Sequence, residues 1–427
     1  MTVPRNSPDP FYCGCETEPE AGALPSVDEA IRRASAIVSP VFQIERLPLH
    51  DAHGRVLAEN LRTDVSLPLF DNSAMDGYAI RTADLTGASP WRLRLAGRVA
   101  AGDAADMPIP QGAALRILTG APLPPGCDAV VMQELTRLEG DFVEICRRPQ
   151  PGENLRRAGE DVTKGAELLP AGRRIGPRVA ALLASIGCGE VVVRRRIRVA
   201  FFSTGSELRS PGERLKPGQI WNGNRYHLQG SLAAPWVETI DMGSVPDQPD
   251  RLRNALENAA EKADLVITTG GVSVGDEDHM PSVLRRAGAE IHVTKVAMKP
   301  GKPVIIGRLG AALYVGLPGN PVSAFVVWHV IGARIAEALA GIRDRGQERI
   351  TVRAGFERSR SPGRCEFLPA HLGAYDGPGT RKVEIAASAV SHRMALLAQA
   401  DGLLLIPSHT ETIRRGDMLE FLPFRDG

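Results

Sequence analysis

The chain has 427 residues, room for about two to four domains at roughly 100 to 200 residues each. Its 43% hydrophobic and 24% charged residues are ordinary for a globular protein and exclude wholesale disorder. With 51 Lys and Arg against 50 Asp and Glu, the net charge of +1 gives no electrostatic footprint for nucleic acid or an anionic membrane, so any anion specificity must be local. Gly at 44 and Pro at 33 exceed their average shares of about 7% and 5%, which predicts many tight turns and loop-built sites.

Residues 1–24 are rich in Pro, Glu and Gly, show no apolar period, and read as a disordered leader. They contain no apolar stretch of signal-peptide length, and no run in the chain approaches the roughly 20 apolar residues of a membrane span, so the expected compartment is the cytoplasm. Six scattered cysteines are too few for a disulfide scaffold. Cys13 and Cys15 lack nearby His or Cys partners and read as two exposed thiols on the tail rather than the start of a metal site.

The fold is expected to begin at Ser26, which with Glu29 forms a capping-box signature; Val27, Ala30, Ile31, Ala34 and Ile37 then recur at helical spacing. From 45 to about 149 short alternating segments (92–95, 113–118, 129–132, 142–146) punctuated by Gly and Pro predict a β-rich module. A second helical stretch at 176–186 is expected to pack against the first, which makes the module an insertion. From Ile197 the rhythm becomes strand, loop, helix: strands at 198–202, 237–240 and 264–268, helices at 224–234, 249–262 and 281–287, strands near Ile291, Val304 and Ala312, and a long helix at 321–339. Alternation of this kind predicts a mostly parallel sheet with helices on both faces. Strands at 350–356, 365–368, 383–387, 402–406 and 418–422 close the chain as a small β-domain.

In an open α/β sheet a ligand sits at the carboxyl ends of the strands. There the first strand runs into Ser203-Thr204-Gly205-Ser206-Glu207, and the third into Thr268-Thr269-Gly270-Gly271-Val272-Ser273 and on to Asp278. Small residues let backbone N–H groups approach a phosphate, and the trailing carboxylates suit a hard cation. One glycine-rich turn is as easily a structural turn; two on neighbouring strands point to a site. Lys295, Lys299 and Lys302 lie in TKVAMKPGKP, where prolines hold the cations at set separations, as a tetrahedral oxyanion or a diphosphate requires. GLPGNPVS then puts Pro318 before, and Pro321 and Ser323 at, a helix N-terminus with free N–H donors. In the module, Asp76 in DNSAMDGY would ordinarily be a local cap, but Thr119 and Asp161 lie in loops of the same region.

The ordered motifs DNSAMDGYA, RILTGAPLPPGCDAVVMQE, PGENLRRAGEDV, FFSTGSEL, ITTGGVSVGDEDH, MKPGKP and GLPGNPVSA resemble those of the molybdopterin molybdotransferase family, which includes the C-terminal domain of gephyrin. The resemblance runs from about Pro25 to Phe424. It implies insertion of molybdate into the dithiolene of adenylylated molybdopterin with release of AMP, in a Mg2+-dependent reaction by a homodimer. The implied architecture is a disordered leader (1–24), a helical linking domain (25–45 plus 162–196), an inserted β-module (46–161), an α/β molybdopterin-binding domain (197–342) and a C-terminal β-barrel (343–427).

Carried onto this sequence, the resemblance makes Asp247, Asp278 and Glu207 the metal carboxylates. It lines the molybdate pocket with Lys299, Lys302, Ser323, Arg364 and Ser391, sets Lys295 on the substrate phosphates, and completes the cleft with Asp76, Thr119 and Asp161. Two positions depart from the family: Ser206 stands where Asp is usual before Glu207, and Asn222 where an acidic residue is usual two before Asn224, and both changes remove negative charge beside the metal loop. Two other functions compete with this one: a scaffold of the gephyrin type, which has no need of Asp247, Asp278, Lys299 and Lys302, and the related adenylyltransferase, a single small α/β domain lacking the module and the barrel. The adenylyltransferase and molybdoenzyme-maturation proteins are the partners implied; nucleic acid and membrane are not.

Overall fold

The computed structural model describes residues 24–272, 279–343, 348–375, 379–385 and 393–424. The chain forms two compact units, one of Met1–Ala58, Gly172–Gly176 and Val192–Gly427, the other of Glu59–Ala171 and Pro177–Val191.

In the first unit, α1 (Val27–Ile37) is capped by Ser26, whose hydroxyl accepts the Glu29 N–H at 3.1 Å. Within the second unit, β1 (Gly77–Ile80), β2 (Trp91–Val99), β3 (Ala113–Ile117), β4 (Ala129–Met132), β5 (Thr136–Glu139) and β6 (Phe142–Ile145) form one sheet in the order β4-β1-β3-β2-β6-β5. Side chains alternate along β1: Tyr78 and Ile80 pack with Leu93, Val131 and Val143 on one face, Ala79 with Ile117 and Val130 on the other. Helix α2 (Pro177–Ser185) belongs to this unit.

The first unit continues with β7 (Ile197–Thr204), α3 (Gly223–Ser231), β8 (Val237–Val245), α4 (Pro249–Lys262), β9 (Leu265–Thr269), α5 (Met280–Arg286), β10 (Glu290–Lys295), β11 (Met298–Lys299), β12 (Pro303–Leu309), β13 (Ala312–Leu317), α6 (Pro321–Val327) and α7 (Ala333–Leu339). Its sheet runs β8-β7-β9-β13-β12-β10; the first four strands are mutually parallel, and the β12–β13 hairpin turns the far edge antiparallel. Along β7, Ile197, Val199 and Phe201 face a layer that includes α1, α3, α6 and α7, while Ala200 and Phe202 face α4 and α5. The result is the expected α/β sandwich of three layers.

Then β14 (Ile350–Ala354), β15 (Cys365–Tyr375), β16 (Arg381–Ile385), β17 (Gly402–Ile406) and β18 (Met418–Pro423) pair in the order β15-β16-β14-β18-β17, and β17 returns to β15, closing a five-stranded barrel. Strand β11 adds to its wall through parallel pairing with β15.

The apolar stripe of α1 (Val27, Ala30, Ile31, Ala34) is buried in the α/β core with Val293, Val304 and Leu339, and α2 groups with the other unit. One expectation is corrected: 321–339 is a 19-residue helical stretch long and apolar enough to cross a membrane, although the sequence predicts no such run. Its most apolar window is 72% buried inside the protein, where Val322, Val326, Val327, Ile331 and Ile335 join the core with strands of the sheet and the barrel.

Candidate active site

Register sets Ser203 of β7 beside Thr269 of β9, and Thr269 beside Leu317 of β13, so three parallel strands stop at one level and their turns leave the sheet side by side. Gly270 makes this possible. Its φ is 93°, and a Cβ there would lie 2.6 Å from the Thr204 carbonyl oxygen. The Gly270 N–H also donates to the Leu317 carbonyl at 3.0 Å, which ties in the third turn.

Hydroxyl and amide groups line the floor. Thr269 Oγ1 donates to Ser203 Oγ at 2.9 Å, and Ser203 Oγ to Asn222 Oδ1 at 3.2 Å. Asn222 is buried; its Oδ1 also accepts the Arg225 N–H and caps α3, and its Nδ2 donates to Ser244 Oγ at 3.0 Å. Asn224 Nδ2 donates to the Gly319 carbonyl at 2.8 Å, joining the start of α3 to the third turn. Thr204 Oγ1 and Asn224 Oδ1 are buried with no hydrogen-bond partner among the described residues. An unsatisfied buried polar group costs about 1–3 kcal/mol, and at a strand-end crevice a bound ligand relieves that cost.

The lysine segment rests on α6. Gly301 has a φ of 102°, and a Cβ there would collide with Val327 Cγ2, so the loop sits flush against the helix. Asn320 caps α6 by accepting the Ser323 N–H at 3.2 Å, and Ser323 is buried in that first turn; Pro318 is buried before it and Pro321 opens the helix. Lys299 Nζ donates to Glu366 Oε1 on β15 at 3.0 Å. Lys302 and Arg364 are exposed, and Lys295 ends β10, half-buried, opposite Pro303.

Glu207 and Asp247 follow the paired ends Thr204 and Val245 of β7 and β8. Gly205 starts the turn that carries the exposed Glu207; Asp247 is half-buried. Asp278, Ser273 and Ser391 lie outside the described residues, while Gly271 continues the β9 turn with a φ of 66°. Among the described residues no group of three or more His, Cys, Asp or Glu side chains is placed to hold a metal. Glu207 and Asp247 are ligands of the type Mg2+ takes, one or two carboxylates with phosphate oxygens and water completing the shell, and do not make an all-protein cage.

In the second unit, Asp76 Oδ1 accepts both the Thr119 N–H and Thr119 Oγ1 at 2.7 Å. The segments around them are laced together: Ser73 N–H donates to the Ala121 carbonyl, Gly120 N–H to the Ser73 carbonyl, and residues 155–156 pair antiparallel with 72–73. Asp161, exposed, anchors only its backbone N–H, on the Leu67 carbonyl at 3.0 Å.

Sequence reasoning missed Asn224, Arg358, Arg360 and Glu366. A signal was present for the last three: Glu366 is a lone charge inside the apolar run Cys365-Glu366-Phe367-Leu368, and Arg358 and Arg360 alternate in the extended segment before it.

Comparison with known proteins agrees with this architecture along the chain. Residues 25–187 match the MoeA N-terminal region (domain I and II), 200–337 a probable molybdopterin binding domain, and 351–424 the MoeA C-terminal region (domain IV). The molybdopterin molybdenumtransferase of Haemophilus influenzae is 36% identical over 386 residues, 90% of this chain and 94% of that protein. Molybdopterin molybdenumtransferase 2 of Mycobacterium tuberculosis is 37% identical over 384 residues, covering 88% and 93%. The crystal structure of the molybdopterin biosynthesis moeA protein from Pyrococcus horikoshii OT3 superposes with a TM-score of 0.81 at 29% identity, over 94% of this chain and all of that one. The chain belongs to the molybdopterin molybdenumtransferase family.

The Asp76–Thr119 contact has a titration signature. The Thr119 hydroxyl first, and its backbone N–H second, hold the Asp76 carboxyl below the ordinary carboxylate range. Stability from this contact is therefore present above the unfolded-state value and lost only as pH falls through the lower folded-state value. Carboxyl carbon NMR should give an Asp76 midpoint below that of a free aspartate, and Thr119→Val should raise it; an unchanged midpoint in the variant would refute the hydroxyl's role.

Proposed function

We propose that this chain inserts molybdenum into molybdopterin, taking molybdate and adenylylated molybdopterin as substrates and releasing AMP. Two oxygen ligands of molybdate leave as water, taking the two dithiol protons and two from solvent, as the sulfurs bind molybdenum with no change of oxidation state; a water adds across the phosphoanhydride, giving AMP and the pterin phosphate. The observation that carries the reading is the strand-end crevice, where small-residue turns and two unpartnered buried oxygens stand on the same unit as a lysine loop seated on α6. The names of the relatives support the transferase class.

Molybdate is a tetrahedral dianion and requires cations and hydroxyl donors. Lys299, Lys302, Arg364 and the start of α6 at Ser323 supply them, with Ser391 from outside the described residues. The small residues at 203–207 and 268–271 let phosphate oxygens come close to the turns and their hydroxyls, while the Gly205 and Gly270 N–H groups are bonded to the Val245 and Leu317 carbonyls, and Lys295 adds a cation for the same charge. Thr204 and Asn224 offer the pterin nucleotide the hydrogen-bond partners that the protein does not use itself. Mg2+, held by Glu207 and Asp247 with Asp278, would neutralise charge developing on the leaving phosphate. Asp76, Thr119 and Asp161 of the second unit remain candidate substrate contacts on the resemblance alone.

A homodimer and a cytoplasmic location belong to the same reading. Exposed Phe42, Ile44, Trp221, Leu69 and Phe70 favour self-association, and the thiols of Cys127, Cys146 and Cys188 suit a reducing compartment. Sedimentation as a monomer at micromolar concentration would contradict the first, and fractionation outside the cytoplasm the second. The adenylyltransferase that makes the substrate and the maturation proteins that take the product are the partners proposed; nucleic acid and membrane are not among them. The scaffold and adenylyltransferase alternatives draw no support from a chain that keeps the lysine loop, the module and the barrel together.

Purified protein given adenylylated molybdopterin, Mg2+ and molybdate should release AMP stoichiometrically with cofactor formed; no release would overturn the proposal. Lys302→Ala removes a charge-assisted contact of about 1.5–3 kcal/mol, so half-saturation by molybdate should rise about tenfold or more while pterin nucleotide binding stays within about twofold. Equal damage to both would make Lys302 a phosphate contact instead.

A further inference from the structure

We propose that Glu366 is a positioning residue for oxyanion capture: it aims the Lys299 ammonium and, through Arg360, steadies the backbone that carries Arg364. The inference rests on the molybdate reading above. Glu366 lies on β15 with its side chain only 3% exposed. A carboxylate so buried persists in charged form only when paired, and three cations converge on it. Lys299 Nζ donates to Oε1 at 3.0 Å, Arg358 Nη2 lies 2.9 Å from Oε2, and Arg360 Nε lies 3.6 Å from Oε1; the two arginine contacts are charge pairs rather than aligned hydrogen bonds.

The cations divide by exposure. Arg360 is 4% exposed and Arg358 23%, so for these two the carboxylate supplies the counter-charge that burial demands. Lys299 is 48% exposed and needs no such compensation, because water would serve it. What Glu366 gives Lys299 is direction. Lys299 and Glu366 are register partners in the β11–β15 pairing, so the flexible four-carbon side chain is held at the junction of the lysine loop and the barrel.

Arg360 extends the arrangement. Its Nη1 donates to the Pro407 carbonyl at 2.8 Å and its Nη2 to the Arg364 carbonyl, so the guanidinium that faces Glu366 also fixes the main chain at Arg364. One buried carboxylate thus underlies two of the cations assigned to molybdate.

Positioning and charge neutralisation predict opposite results. If Glu366 only offset positive charge, a shorter carboxylate would leave anion capture unchanged, and a neutral one would tighten it. If it positions, both changes weaken capture. Glu366→Gln leaves two arginines without a counter-charge and risks unfolding, so the informative variant is Glu366→Asp, which keeps the charge and draws it back from Lys299.

In the full-length protein, Glu366→Asp should melt near wild type and raise the molybdate concentration for half-maximal AMP release about tenfold, with pterin nucleotide affinity within about twofold. Combining it with Lys299→Ala should raise the molybdate half-saturation by clearly less than the product of the two single effects, because the lysine's direction no longer matters once the lysine is gone and only the Arg360–Arg364 route remains to be disturbed. Unchanged half-saturation in Glu366→Asp, equal losses for both substrates, or full additivity with Lys299→Ala would each overturn the proposal. If wild-type AMP release shows no dependence on molybdate, the molybdate reading itself fails, a result separate from a silent Glu366→Asp on a molybdate-dependent background.

Discussion

The close approach of β9 to β7 at Gly270 governs the strand-end crevice. A side chain at Gly270 would occupy the place of the Thr204 carbonyl oxygen, so the turns after these strands lie together only because this position has none. From that contact the remaining order follows: Gly270 N–H reaches the Leu317 carbonyl of β13, the turn after β13 is held by Asn224, and Asn222 caps the helix that Asn224 opens while bonding Ser203 back on β7. Three turns and one helix start form a closed hydrogen-bonded circuit. Thr204 Oγ1 and Asn224 Oδ1 stand outside it, with no partner among the described residues.

Charge is organised locally in a chain whose formal total is +1. Lys299, Arg358 and Arg360 gather on Glu366, giving a partly buried group with more positive than negative charges where the sandwich meets the barrel. Attraction between such groups and an anion strengthens as water is excluded, so a few fixed cations there do what a general positive field would do less selectively. The departure at Asn222 has a structural use: the neutral amide both donates and accepts, serving Ser244, Ser203 and α3 together, whereas an ionised carboxylate only accepts.

Much of the fold was legible. The helix at Pro249–Lys262 and the strand at Gly402–Ile406 have the bounds that periodicity and proline placement predict, because each is set by local signals. The partner of α1 was not legible, since an amphipathic stripe states that a face is buried but not against what. Closure of the barrel through β15 and β17 depends on register between residues 32 to 40 positions apart, for example Phe367 with Leu405, and no local pattern encodes it. In the site, the glycine turns and lysine loop stood out by composition. Glu366 did not, because one acidic residue in a strand shows its importance only when Lys299, Arg358 and Arg360 arrive from elsewhere.

The central claim is that the turns after β7, β9 and β13 form the seat of the pterin nucleotide. It is tested most directly by a crystal structure of the protein with adenylylated molybdopterin in the absence of molybdate. The account predicts phosphate density against the backbone at 203–207 and 268–271, with ligand donors bonded to Thr204 Oγ1 and Asn224 Oδ1. Well-ordered ligand bound elsewhere, with both oxygens still unpartnered and the crevice empty, would contradict it.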